Sequence, residues 1–231
     1  MTTGTEPDGR AEERHSKRLT KRDQPLPQLR RPRWQPIAAL GVFFTAVAFV
    51  TRTIDISQTT DLLARGAALA DFRDAGYFPV KATLDGVVPY DVTQYFANYP
   101  VGQEFPLLPP TYLAVHAPFQ LMTLPVAATA MLIVNLVAMV GLTWWALRLS
   151  RYRHTVTTVL LVASLLLVSN GARNVVFAGQ STLLFVVGVY LALTSSKETA
   201  GAVGVFIALI KPGFGIPLLV FIAAIGWYRR A

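Results

Sequence analysis

The residues best suited to proton chemistry in this 231-residue chain are its carboxylates, and they are unevenly placed. Seven of the 13 acidic residues (Asp55, Asp61, Asp71, Asp74, Asp85, Asp91 and Glu104) fall in one polar segment between the first and second apolar runs. None occurs from Phe105 to Lys197. A membrane enzyme that needs a carboxylate base would have to draw it from that segment. Two cations stand out as potential anion partners. Arg173 lies in Ser169-Asn170-Gly171-Ala172-Arg173-Asn174-Val175-Val176-Phe177-Ala178-Gly179-Gln180, a polar, turn-prone link between two apolar stretches. Lys211 lies in Ile210-Lys211-Pro212-Gly213-Phe214-Gly215, where Pro and Gly must interrupt a helix. A cation at a helix break inside a membrane lines a cavity or meets an anion, unless it snorkels to the headgroups. Gln180 and Asn174 beside Arg173 favour the anion site.

Other chemistries lack their residues. There is no cysteine, so no disulfide or thiolate metal site is possible. His15, His116 and His154 are isolated and show no metal-ligand spacing. No Gly-rich nucleotide loop appears. Trp144 and Trp145, at the end of an apolar run, fit an interfacial aromatic belt.

The elements that must position these residues are membrane helices. The chain is 53% apolar and 15% charged, with mean hydropathy +0.44, too apolar for an ordinary soluble domain. Pro36–Val50, Val126–Leu147, Thr155–Val168, Ser181–Leu193 and two stretches flanking Lys211 are nearly free of charge. A spanning helix needs about 20 such residues; Val126–Leu147 meets this, and the rest reach it only with their flanks. Short spans point to helices packed and tilted inside a bundle. The formal charge of +8 does not indicate nucleic acid, because nine of the 21 basic residues sit in Met1–Arg33 among five acids. That tail has almost no large apolar residues and is expected to be disordered. It would hold the N-terminus in the cytoplasm and attract anionic lipid, with Pro36–Val50 as an uncleaved signal anchor.

Orientation turns on Leu107–Thr123. Pro109, Pro110 and Pro118 make an unbroken span poor there, since each removes a backbone donor. If the stretch is re-entrant or interfacial on the outer face, Arg148, Arg151, Arg153, Lys197, Arg229 and Arg230 join the tail inside. Fifteen of the 21 basic residues are then cytoplasmic, as the positive-inside bias favours. Asp71, Arg173, Gln180 and Lys211 then share the outer side. The expected architecture is all-α, a polytopic transmembrane helical bundle of about five to seven spans with interfacial helices in a large extracytoplasmic first loop. Its parts are a basic tail (1–35), a first transmembrane helix (36–51), the loop (52–125) and the bundle (126–231).

Five features occur in order from Asp71 onward: Asp71 after the first span; Gly86, Pro89, Tyr90 and Asp91; Pro109-Pro110 with Pro118; Gly179-Gln180; and Lys211-Pro212. In this the chain resembles the family 87 glycosyltransferases, polytopic GT-C-type membrane enzymes. It departs in that Tyr99-Pro100 is separated from Pro109-Pro110, and in covering only about half of such a protein. The resemblance implies transfer of a hexose, mannose foremost, from a polyprenyl-phosphate donor to a lipid or glycan hydroxyl on the extracytoplasmic face of the plasma (inner) membrane, with no cofactor. The implied partners are that donor, a glycan or glycolipid acceptor, membrane lipid, and a second polypeptide supplying the missing spans. The alternative is a non-catalytic or truncated membrane protein that binds lipid or pairs with another subunit. A secondary transporter is less well matched, because no internal repeat is visible.

On the glycosyltransferase reading, a carboxylate takes the acceptor proton and a cation stabilises the leaving phosphate. Asp71, at the matching position, is the expected base. Asp74, three residues on and on the same helical face, is the second candidate, and a close carboxylate pair would raise one pKa. Either could instead solvate an interfacial helix or pair with Arg73 or Lys81. Arg173, Lys211 and Gln180 would hold the donor phosphate. Gly86, Pro89, Tyr90 and Asp91 would form a turn, with Asp91 capping it.

Overall fold

The computed structural model describes residues 34–52, 69–102, 109–151 and 154–228. The residues from Pro36 onward form one compact unit, and Met1–Gln35 form another, of which only Trp34 and Gln35 are described. The basic tail, Asp55, Asp61, Arg65 and Glu104 lie outside the described residues.

Every described element is helical. Helix α1 is Gln35–Thr51. A π-helical segment, Asp71–Tyr77, runs directly into α2, Phe78–Leu84. Then come α3 (Val92–Asn98) and α4 (Pro110–His116), the latter passing into a 3-10 turn at Ala117–Leu121. The second part holds α5 (Leu124–Leu149), α6 (Val156–Val168), α7 (Asn170–Ala178), α8 (Thr182–Thr194), α9 (Glu198–Ala208) and α10 (Pro212–Tyr228).

Helix α5 is the axis of this arrangement. Its 26 residues rise about 39 Å, more than the hydrocarbon core of about 30 Å. Pro125 opens its first turn, where a missing N–H costs nothing. Ala127, Ala128, Met131, Leu132, Asn135, Ala138 and Met139 recur every three or four residues and form its buried stripe. Both amide atoms of Asn135 are buried with no hydrogen-bond partner among the described residues. Helix α6 is capped by the Thr155 hydroxyl, which accepts from the Thr158 amide at 3.3 Å. It breaks at Ser169, and α7 leaves at 78° to it. Helices α8 and α9 pack almost backbone to backbone. A Cβ on Gly188 would stand 2.7 Å from the Ala208 nitrogen, and one on Gly204 would collide with the Ala192 nitrogen. Small residues permit such contact between apolar helices.

Among the described helices, one is long and apolar enough to cross a membrane alone, and a second if the bent α6–α7 pair is one span. The other apolar helices, α1, α8, α9 and α10, are shorter, at 17 residues or fewer. The stretch carrying Pro109, Pro110 and Pro118 is broken into a seven-residue helix and a 3-10 turn. Seven residues rise only about 10 Å, a third of the hydrocarbon thickness.

Several links join elements remote in sequence. Tyr77 Oη donates to the Met122 carbonyl at 3.0 Å, and Gln120 Nε2 donates to the Tyr77 carbonyl at 2.6 Å. Thr111 Oγ1 donates to the Leu209 carbonyl at 3.0 Å. The π segment, α4, the start of α5 and the α9–α10 turn therefore cluster together.

Candidate active site

Asp71 opens the π segment, which among the described residues is the one element whose hydrogen-bond pattern departs from α or 3-10 geometry. Such widened turns recur at functional sites and cost stability that neighbours must supply. Those neighbours are visible. Leu69, which has φ +57°, donates its amide to the Phe177 carbonyl at 2.7 Å. Phe72 is fully buried, with its ring edge-on to Phe119 at 5.2 Å between centroids. Asp71 itself is half-buried, and its carboxylate makes no hydrogen bond or ion pair among the described residues.

The facing wall is the turn between α7 and α8. Gly179 ends α7 with φ +70°, the left-handed conformation that glycine takes without strain. It also packs directly on the π segment, since a Cβ there would lie 2.8 Å from Phe72 Cβ and 3.0 Å from Leu69 Cδ2. Next comes Gln180, whose Oε1 accepts from Thr182 Oγ1 at 3.2 Å. Thr182 Oγ1 in turn accepts from Lys211 Nζ at 2.8 Å. Lys211 is half-buried at the α9–α10 break. Asp71, Gln180 and Lys211, spread over 140 residues of chain, are thus gathered around the first turn of α8. Carboxylate, amide and ammonium together at a helix N-terminus can take a proton and hold an anion.

Asp74 is engaged elsewhere. It is fully buried; its Oδ1 accepts from Arg73 Nε at 2.5 Å, and its Oδ2 from an Arg73 terminal nitrogen at 3.0 Å. The Gly102 amide donates to Oδ2 at 3.1 Å, and the Tyr95 hydroxyl donates to the Asp74 backbone carbonyl at 3.0 Å. The wide π turn sets Asp71 and Asp74 in different surroundings, one half-open and unengaged, the other sealed in an ion pair. In the following turn Gly86 has φ +78°, and Asp91 caps α3 by accepting from the Gln94 amide at 3.2 Å. Asp85 is exposed; the Tyr99 hydroxyl donating to it at 2.6 Å and Lys81 at 3.1 Å hold its carboxyl below the usual range. Arg173 is exposed on α7, and its side chain makes no hydrogen bond or ion pair among the described residues. The links that gather Lys211 and Gln180 do not include it.

One group has no signal in the sequence beyond its type. His116, at the end of α4, is fully buried. Its Nδ1 lies 2.9 Å from the Tyr112 carbonyl and must donate to it, leaving Nε2, 2.9 Å from Ser181 Oγ, to accept the serine hydroxyl. Burial pushes its pKa down to about 4, so at neutral pH the ring is uncharged and Nε2 is free to accept. Tyr112 stacks on it at 4.2 Å between centroids. A lone histidine on an apolar stretch reads as isolated in sequence, because its partner Ser181 is 65 residues away. Among the described residues no group of three or more potential ligands could hold a metal.

Residues 107–231, more than half of the chain, match the family described as Glycosyltransferase family 87. No curated protein and no solved structure matches.

Proposed function

Because the chain belongs to glycosyltransferase family 87, we propose that it transfers a hexose, with mannose the first choice, from a polyprenyl-phosphate donor to a glycan or glycolipid hydroxyl at the outer face of the plasma membrane. Asp71 takes the proton from the acceptor hydroxyl as its oxygen bonds to the anomeric carbon. The bond from that carbon to the phosphate oxygen breaks, and the polyprenyl phosphate leaves with the electron pair. Lys211 meets the charge of that phosphate, and Gln180 and the first turn of α8 orient it. These groups offer charge and N–H donors where the anion resides, which is where they count most. The carrying observation is geometric: Gly179 packs on Leu69 and Phe72, which flank Asp71 closely in sequence, and Gln180 and Lys211 are joined through Thr182 at the start of α8. Arg173, exposed on the helix leading into this turn, serves as an outer contact for the same phosphate.

In this reading α1, α5, the bent α6–α7 pair, α8, α9 and α10 are six spans, with the N-terminus in the cytoplasm. Alternation then leaves Asp71, the Gly179–Gln180 turn and Lys211 on one side and Arg148 and Lys197 on the other. The short helices pack against one another, and the bilayer thins locally to match their length. The test is donor binding by the full chain in nanodiscs, with radiolabelled polyprenyl-phosphate mannose as the probe. Lys211→Ala should weaken binding at least about tenfold, as loss of a charge-assisted contact in a poorly hydrated site does. Binding as tight as in the unsubstituted chain would refute the assignment of Lys211.

A further inference from the structure

The reaction proposed above uses Asp71, Gln180 and Lys211 but leaves unexplained a buried polar group directly behind them. His116 lies between the two walls of the site. On one side, Gly76 of the π segment packs on its ring so closely that a Cβ there would stand 2.9 Å from His116 Cδ2. Phe72, next to Asp71, has its ring centroid 6.2 Å away. On the other side, Nε2 takes the hydroxyl of Ser181, which stands in sequence between Gln180 and Thr182. Ser181 is itself 2% exposed, and its Oγ lies 3.4 Å from the Tyr112 hydroxyl. The Nδ1 bond to the Tyr112 carbonyl fixes both tautomer and ring orientation. We propose that His116 is a positioning residue for glycosyl transfer, holding the segment that carries Asp71 in register with the turn that carries the phosphate-binding groups. At 0% exposure it cannot touch substrate, so its effect passes through Ser181 and the π segment. The inference rests on the transfer reading above.

The test uses the full chain in nanodiscs, with radiolabelled polyprenyl-phosphate mannose as donor and a total membrane lipid extract as acceptor. Ser181→Ala and His116→Leu should each lower turnover roughly 10–100-fold while donor Kd stays unchanged, since misplacement of about 1 Å costs that much in rate. His116→Gln, whose amide oxygen can still accept the Ser181 hydroxyl, should restore most of the turnover. The double variant His116→Leu/Ser181→Ala should be no worse than His116→Leu, because both remove one link. Wild-type turnover in Ser181→Ala beside an inactive Asp71→Asn would overturn the inference, and so would losses that multiply in the double variant. Full activity of Asp71→Asn would instead sink the transfer reading. A readout independent of turnover comes from spin labels on the Asp71→Cys/Gln180→Cys chain, which has no native cysteine. The distance distribution should be narrow, and should broaden when Ser181→Ala is added; an unchanged distribution refutes the link even where no turnover is measured or His116→Leu does not fold.

Discussion

Gly179→Ala is the sharpest structural test of how the two walls of the site meet. Alanine at φ +70° in the left-handed region costs about 1–2 kcal/mol. The new Cβ would also lie 2.8 Å from Phe72 Cβ and 3.0 Å from Leu69 Cδ2. Carbon atoms sit comfortably at about 3.5–4.0 Å, so the walls must part by somewhat under 1 Å or the glycine backbone must move. Neither neighbour can yield cheaply: Phe72 and Leu69 are both fully buried, and the Leu69 amide is bonded to Phe177. Overpacking of this kind adds about 1–3 kcal/mol. The expected destabilisation is about 2–5 kcal/mol, with turnover lowered by about 10²-fold because Asp71 shifts against Gln180. Thermal melts in detergent and a mannosyl-transfer assay read the two effects. Gly171→Ala is the control, since a Cβ there meets nothing within 4 Å. A Gly179→Ala protein as stable and active as the Gly171→Ala control would refute the contact between the walls.

Three further outcomes are expected. Asn135→Leu should leave the protein as stable or make it about 1–3 kcal/mol more stable, because it removes a buried amide that has no partner among the described residues; a lower melting temperature would contradict this. His116 has its pKa depressed from 6.5 to about 4, so its contribution is whole above pH 6.5 and is lost as pH falls towards 4. One proton over that interval is about 3 kcal/mol, and melting temperatures of His116→Gln should lack this acid sensitivity; parallel pH curves for the two proteins would contradict it. Asp85→Cys should react with an impermeant maleimide in intact cells and Ser150→Cys only after permeabilisation; outside labelling of position 150 would reverse the proposed topology.

What could be read from the sequence was local. The helix breaks at Lys211-Pro212 and Gly179-Gln180 announce themselves by residue type, and the structure ends or starts helices there. The prolines of Leu107–Thr123 signal an interrupted helix, and Pro118 indeed falls in the 3-10 turn. The π turn has no such signature. Read as α-helical, Asp71 and Asp74 share a face, whereas the structure commits Asp74 to Arg73 and Gly102 and leaves Asp71 unengaged among the described residues. Span count was legible only in part, because helices as short as α9 are apolar by composition but fall short of a membrane's thickness by length. The role of His116 was illegible, since a contact with Ser181 is a tertiary fact that no spacing rule encodes.

The central claim is that Asp71 is the base. Asp71→Asn preserves shape and removes the proton acceptor, so it separates chemistry from folding. The measurement is turnover of the full chain, with any polypeptide that supplies further spans, run beside donor binding on the same preparation. Turnover should fall about 10²–10⁴-fold, the usual worth of a positioned base, while polyprenyl-phosphate mannose binds as before because Lys211 and Gln180 remain. Turnover equal to that of the unsubstituted protein would contradict the account.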